Sequence, residues 1–117
     1  MMKILTVDDN ESVRTMIRSL LSGSVDTFCE CDDGAEAVTA YTKFRPDWVL
    51  MDIRMKQVDG FQATREILSE FPEAKIIMIT QYNDPKLREK AKHVGAIDFV
   101  LKEHLLDIEQ IIHRNRH

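Results

Sequence analysis

The sequence predicts an α/β fold, a five-stranded parallel sheet wound on both faces by helices. Three observations carry this. Five short apolar runs alternate with five stretches of helical periodicity along the 117 residues. The connections between them are short, and parallel strands need a crossover, for which the intervening helices are the right length. The run Trp48-Val49-Leu50-Met51 is apolar without interruption, as a strand covered on both faces is. The five units use up the chain, so residues 1–117 read as one domain without linker, repeat or low-complexity segment.

Ile4-Leu5-Thr6-Val7 is the first strand and runs into Asp8-Asp9; Asn10 caps the helix behind it. Val13, Met16, Ile17, Leu20 and Leu21 form one apolar stripe on that helix, and Gly23 is its stop. Residues 25–31 form a more polar strand, expected at a sheet edge, followed by the turn Asp32-Asp33-Gly34. A small-residue helix over 35–44 ends before Pro46. The third strand, 48–52, ends on Asp52, and 54–60 is a polar loop. Phe61, Thr64, Ile67, Leu68 and Phe71 mark the third helix. Ile76-Ile77-Met78-Ile79 ends on Thr80, and Asp84-Pro85 opens a fourth helix by cap and first-turn proline. Its apolar face is thin: Leu87, Ala91 and Val94 stand among Lys86, Arg88, Glu89, Lys90 and Lys92. The last strand, 97–101, ends on Lys102, and Leu105, Ile108, Ile111 and Ile112 mark the last helix.

The composition is that of an ordinary globular chain, 44% apolar and 31% charged. A formal net charge of −4 gives no basic footprint for direct nucleic-acid binding. No apolar run approaches the roughly 20 residues of a membrane span. Cys29 and Cys31 make no disulfide framework and read as small core hydrophobes. Met1-Met2-Lys3 leads straight into a strand without the pattern of a signal peptide, so a reducing, cytoplasmic setting is expected.

In an open parallel sheet, chemistry gathers at the carboxyl ends of the strands. Here those ends are Asp8-Asp9, Asp52, Thr80 and Lys102. Three crowded carboxylates repel unless a cation joins them, and hard oxygen ligands suit Mg²⁺. A carboxylate nucleophile, a metal, a lysine and a hydroxyl donor together meet the needs of phosphoryl transfer. The expectation is that Asp52 accepts a phosphoryl group.

At these residues the sequence resembles the receiver domains of bacterial response regulators, CheY-like proteins of two-component signal transduction. The matching stretches are Val7-Asp8-Asp9-Asn10, Asp33-Gly34-Ala35-Glu36-Ala37, Met51-Asp52-Ile53-Arg54-Met55, Asp59-Gly60, Ile79-Thr80 and Gly95 to Lys102. The resemblance implies a doubly wound, flavodoxin-like sheet of strand order 2-1-3-4-5, with residues 1–117 as the receiver domain. It implies that Asp52 takes the phosphoryl group from a phosphohistidine on a histidine kinase or phosphotransfer protein. Asp9, Asp52 and the backbone carbonyl of Arg54 would bind Mg²⁺, with Asp8 acting through water. Lys102 would pair with the phosphoryl group, Thr80 would turn to bond it, and Phe99 would move inward behind Thr80. The switched face is the fourth helix, fifth strand and fifth helix, and it would serve a downstream target or output domain. Such a protein promotes only its own phosphorylation and dephosphorylation and is otherwise no enzyme.

Three positions depart from the family pattern. Lys56 and Glu103 stand where prolines are usual, and Gln81 is larger than the usual residue after the threonine. A cis bond to a non-proline costs about 2.5–4 kcal/mol, so the Lys102–Glu103 bond is expected trans. Arg54 and Tyr82, two residues after the acceptor and the threonine, are both large and are expected to lengthen the life of the phosphorylated state. The opposite charges across residues 84–112 suggest a phosphorylation-dependent homodimer. Competing readings fit less well. An interaction module independent of phosphorylation would not need the acceptor, metal carboxylate and lysine, yet all are present. An Asp-nucleophile phosphatase would want an acid where Arg54 stands. A flavin carrier would want a Ser, Thr and Gly-rich loop where Asp8-Asp9 would repel phosphate.

Overall fold

A computed structural model of the chain describes residues 1–115; residues 116 and 117, assigned above to the same domain, lie outside the described residues. The strands are β1 (Lys3–Val7), β2 (Thr27–Cys31), β3 (Trp48–Asp52), β4 (Ile76–Thr80) and β5 (Asp98–Leu101). The helices are α1 (Glu11–Leu21), α2 (Ala37–Phe44), α3 (Gly60–Glu70), α4 (Pro85–Val94) and α5 (Asp107–Arg114). All strand pairs are parallel and the order is β2-β1-β3-β4-β5, the expected doubly wound topology. Every residue of β3 and β4 is buried, which explains their unbroken apolar runs; β2, with a mixed pattern, is the expected edge.

Two apolar clusters lie on opposite faces of the sheet. One joins Leu5, Val7, Val49, Met51, Met78, Phe99 and Leu101 to α2, α3 and α4. The other joins Ile4, Trp48, Leu50, Ile77, Ile79 and Val100 to α1 and α5. Strand alternation then assigns the strand ends. Asp8 and Asp52 continue the rows of Ile4 and Leu50 toward α1 and α5, whereas Thr80 and Phe99 belong to the opposite rows.

The expected caps at Asn10 and Asp84 form as read: Asn10 accepts from the amides of Ser12 and Val13, and Asp84 from Lys86. Asp59, read only as part of a polar loop, caps α3 by accepting from Gln62. Other expectations need correcting. Met16 is 50% exposed, so the buried side of α1 is Ile17 and Leu21, flanked by Val13 and Leu20. Gly23 does not end α1 by a left-handed turn: the cap is Ser22 in right-handed geometry, and the chain closes through the Ser24 and Val25 amides on the Leu21 carbonyl. Left-handed caps stand at Gly95 (φ 105°), which closes α4, and at Arg45 (φ 51°), where Pro46 disfavours a further right-handed residue. The Arg45 guanidinium lies 4.5 Å over the Phe71 ring, which anchors that cap to α3's end. The helix expected from 35 begins as a 3₁₀ turn, Gly34–Glu36, because Asp33 caps Ala35 tightly. The last helix likewise starts later than its apolar residues suggest, behind a 3₁₀ turn at Lys102–His104. No described peptide bond is cis, in keeping with Glu103 after Lys102. No helix among the described residues is long and apolar enough to cross a membrane.

Candidate functional site

The carboxyl edge of the sheet brings β1, β3 and the turn after β5 to one point. Asp8 has no exposed surface; its Oδ1 accepts from the Asn10 amide at 2.8 Å and its Oδ2 faces the Lys102 Nζ at 3.0 Å. The same Nζ lies 3.3 Å from Asp52 Oδ1, so one ammonium bridges two carboxylates. Asp9, exposed, completes the cluster: ligand oxygens of Asp8, Asp9 and Asp52 all lie within 4.8 Å of one another. Such a set of hard oxygens can hold a metal ion, and its charge and donor type suit a small divalent cation.

Burial sets the electrostatics here. Asp52, 4% exposed, is pushed up to about 6, chiefly by burial and then by the Asp8 charge; Lys102 pulls it down, and Asp9 adds a smaller push upward. Burial works against the charge of Lys102, but Asp52 and Asp8 outweigh it and hold its pKa above the ordinary value. At neutral pH Asp52 is therefore an ionised carboxylate beside a charged lysine, and it is costly to keep so in the absence of further positive charge.

The edge is open as a cavity of about 220 Å³ lined by Asp9, Asn10, Asp52, Arg54, Thr80, Gln81, Tyr82 and Lys102. Thr80 is buried, and its hydroxyl accepts from the Tyr82 amide at 3.2 Å. The Arg54 guanidinium stacks 4.7 Å over the Tyr82 ring, so the two large side chains form one wall. Phe99 does not line this cavity. It is buried on the far side of β5, with the Arg88 guanidinium 4.6 Å above its ring.

A scan against known families matches the response regulator receiver domain over residues 4–115. This chain belongs to the response regulator receiver family. Its relatives include the chemotaxis protein CheY of Listeria monocytogenes, 37% identical over 103 residues that span 87% of each chain. Another is the response regulator protein VraR of Staphylococcus aureus, 35% identical over 86% of this chain but only 49% of the relative. Among solved structures, the chemotaxis protein CheY4 of Vibrio cholerae superposes with a TM-score of 0.84 at 29% identity, covering 96% of this chain and 98% of that one. The receiver domain of NarL from Mycobacterium tuberculosis gives 0.86 at 27% identity, with 98% of each chain covered. The protein is thus a receiver domain of the two-component type.

The receiver fold brings together every strand-end residue singled out in the sequence, and it adds two that sequence reading missed. Arg14, on α1, donates from Nη1 to the Asp8 carbonyl at 2.6 Å and from Nε to Glu30 at 3.1 Å, tying the first carboxylate's backbone to β2. Arg18 joins the same Glu30. Asp33 reaches into the loop after β3. Arg14 reads in the sequence as the polar flank of a helix; Asp33 stands in a turn and in a matching stretch, but nothing local shows that it reaches the loop after β3.

Proposed function

We propose that this receiver domain takes a phosphoryl group onto Asp52 from the phosphohistidine of a histidine kinase or phosphotransfer protein. The observation that carries the reading is the Lys102 ammonium bridging Asp8 and Asp52 at 3.0 and 3.3 Å beside an open acidic cavity. Asp9, Asp52 and the Arg54 carbonyl are the ligands assigned to Mg²⁺, with Asp8 acting through water. When bound, that ion neutralises the carboxylates and the phosphoryl oxygens they face. The ionised Asp52 oxygen attacks phosphorus as the bond to the donor nitrogen breaks, and the nitrogen keeps the electron pair. Lys102, already between the two carboxylates, moves its charge to a phosphoryl oxygen. The Thr80 hydroxyl exchanges its Tyr82 amide for that group as donor, which opens the space into which Phe99 shifts.

Output then falls to α4, β5 and α5, acting on a downstream protein or output domain in the cytoplasm. On this face Arg88 and Lys90 lie over Phe99 and Phe61, and Asp98 pairs with Arg114 at 3.6 Å. Lys86, Lys92, Glu103 and Asp107 have no ion-pair partner among the described residues and are exposed, so they remain for a partner or for a phosphorylation-dependent dimer. The chemistry is tested by incubating the protein with acetyl phosphate and Mg²⁺ and mapping the acid-labile adduct. Modification at Asp52 is expected; a stable adduct elsewhere would overturn the assignment. Light scattering with and without a phosphate mimic tests the dimer, and an unchanged monomer removes it.

A further inference from the structure

The loop after β3, residues 53–59, carries the Arg54 carbonyl assigned above to the metal. It contains neither proline nor glycine, and Arg54, Lys56, Gln57 and Asp59 in it are exposed. Its ends are fastened locally: the Ile53 amide donates to the Ile79 carbonyl at 3.2 Å, the Gly60 amide to the Ile53 carbonyl at 2.8 Å, and Asp59 Oδ1 accepts from the Gln62 amide at 2.9 Å. At Gly60 the chain returns so closely that a Cβ would stand 2.1 Å from the Asp52 carbonyl oxygen. The middle of the loop has another hold. Asp33 Oδ2 accepts from the Gln57 amide at 2.9 Å, and Oδ1 from the Val58 amide at 3.1 Å. Oδ1 also accepts from Ala35 at 2.9 Å, the bond an Asp-Gly turn makes for itself. The two others cross 24 and 25 residues of sequence. Next to it a Cβ on Gly34 would stand 2.4 Å from the Val58 carbonyl oxygen, so turn and loop are pressed together.

We propose that Asp33 is a positioning residue for the cation site: by clasping Gln57 and Val58 it keeps the Arg54 carbonyl in station beside Asp9 and Asp52. The proposal rests on the reading of Arg54 as a metal ligand. Asp33 is outside the acidic cluster of Asp8, Asp9 and Asp52, so it acts through the backbone and not on the ion. Its state suits the task. Burial opposes its ionisation, but the amides of Gln57, Ala35, Val58 and Lys56 outweigh that and hold its pKa below the ordinary value.

The test compares the full chain with Asp33→Ala, Asp33→Asn and Asp9→Ala, titrating each with MgCl₂ by calorimetry at a temperature where circular dichroism shows it folded. In Asp33→Ala, Mg²⁺ should bind about tenfold more weakly, the scale seen when a supporting partner of a ligand is removed. Asp33→Asn keeps one carbonyl acceptor and should fall between; it decides alone if the alanine variant does not fold. Exchange of the Gln57 and Val58 amides should quicken. Labelling by acetyl phosphate should suffer far more at sub-saturating than at saturating Mg²⁺. A lowered melting temperature with wild-type Mg²⁺ affinity, while Asp9→Ala has lost its affinity, would overturn the clasp and leave the metal site standing. Wild-type affinity in Asp9→Ala as well would overturn the metal site, and the clasp with it.

Discussion

Helices α3 and α4 lie side by side on one face of the sheet and are nearly equal in length, yet they are held differently. The first buries Gly60, Phe61, Ala63, Thr64 and Ile67; the second buries Ala91 alone. The rest of α4's inner edge is the half-buried Leu87 and Val94, flanked by two cations of the same helix, Arg88 over Phe99 and Lys90 over Phe61. The helix after the acceptor strand is thus fastened like core, and the helix after Thr80 rests on adjustable side chains. In the proposed function the two suit different tasks: α3 holds the far face of β3 rigid behind Asp52, and α4 is an element whose shift is inexpensive. Across the sheet, Asp8 and Asp52 face α1 and α5, while Thr80 and Phe99 face the side that carries both α3 and α4.

The sharpest way to break this comparison is chemical. Asp52→Asn should abolish Mg²⁺-dependent labelling by acetyl phosphate, whereas Arg88→Ala, on the loosely held side, should leave it in place. Residual full labelling of the first variant, or loss in the second, would show that the two halves are not separated as described.

The next test is energetic. Phe61→Ala removes a buried ring and should cost about 3 kcal/mol in urea unfolding, while the half-buried Leu87 on α4, cut to alanine, should cost about 1 kcal/mol. Equal costs would mean that α4 is anchored as firmly as α3.

A third prediction concerns the strain stored at the acceptor. Asp52 rises from its ordinary 3.8 to about 6. Between those values the folded protein binds a proton that the unfolded chain does not, so stability is greatest below the lower value and is lost as pH rises through 6. At pH 7.5 without Mg²⁺, Asp52→Asn should therefore be more stable than wild type by about 2–3 kcal/mol, a gain that shrinks toward pH 4. A pH-independent difference in melting temperature would refute the account. The smallest expected effect is on lifetime: Arg54→Ala and Tyr82→Ala should each speed decay of the phosphorylated form by a few-fold, since each removes half of one stacked wall. Unchanged decay in both would leave the wall without a role.

Much of this was legible in the chain because the relevant signals are local. Strands β3 and β4 could be read without structure since both of their faces are buried, and their terminal residues then name the site. Asn10 and Asp84 cap within three residues of themselves and were equally plain. Met16 misled because helical spacing gives an angle around the axis but not where the neighbouring surface ends. Gly23 misled because a glycine permits a left-handed turn without requiring one; Gly95 does adopt it at the end of α4, and Arg45 adopts it at the end of α2, where a following proline and the Phe71 ring favour it.

By itself the sequence determined the order of strands and helices, the burial of the central strands, and the collection of Asp8, Asp9, Asp52, Thr80 and Lys102 at strand ends. These follow from periodicity and from the rule that parallel strands all point one way. Only the tertiary structure decided that one ammonium bridges two carboxylates, that Arg54 stacks on Tyr82, that Arg14 holds the Asp8 carbonyl and that Asp33 grips a loop 24 residues away. Each of these joins groups from different elements. Whether such groups meet depends on the twist, register and burial of the assembled sheet, and no spacing along the chain encodes a distance across it.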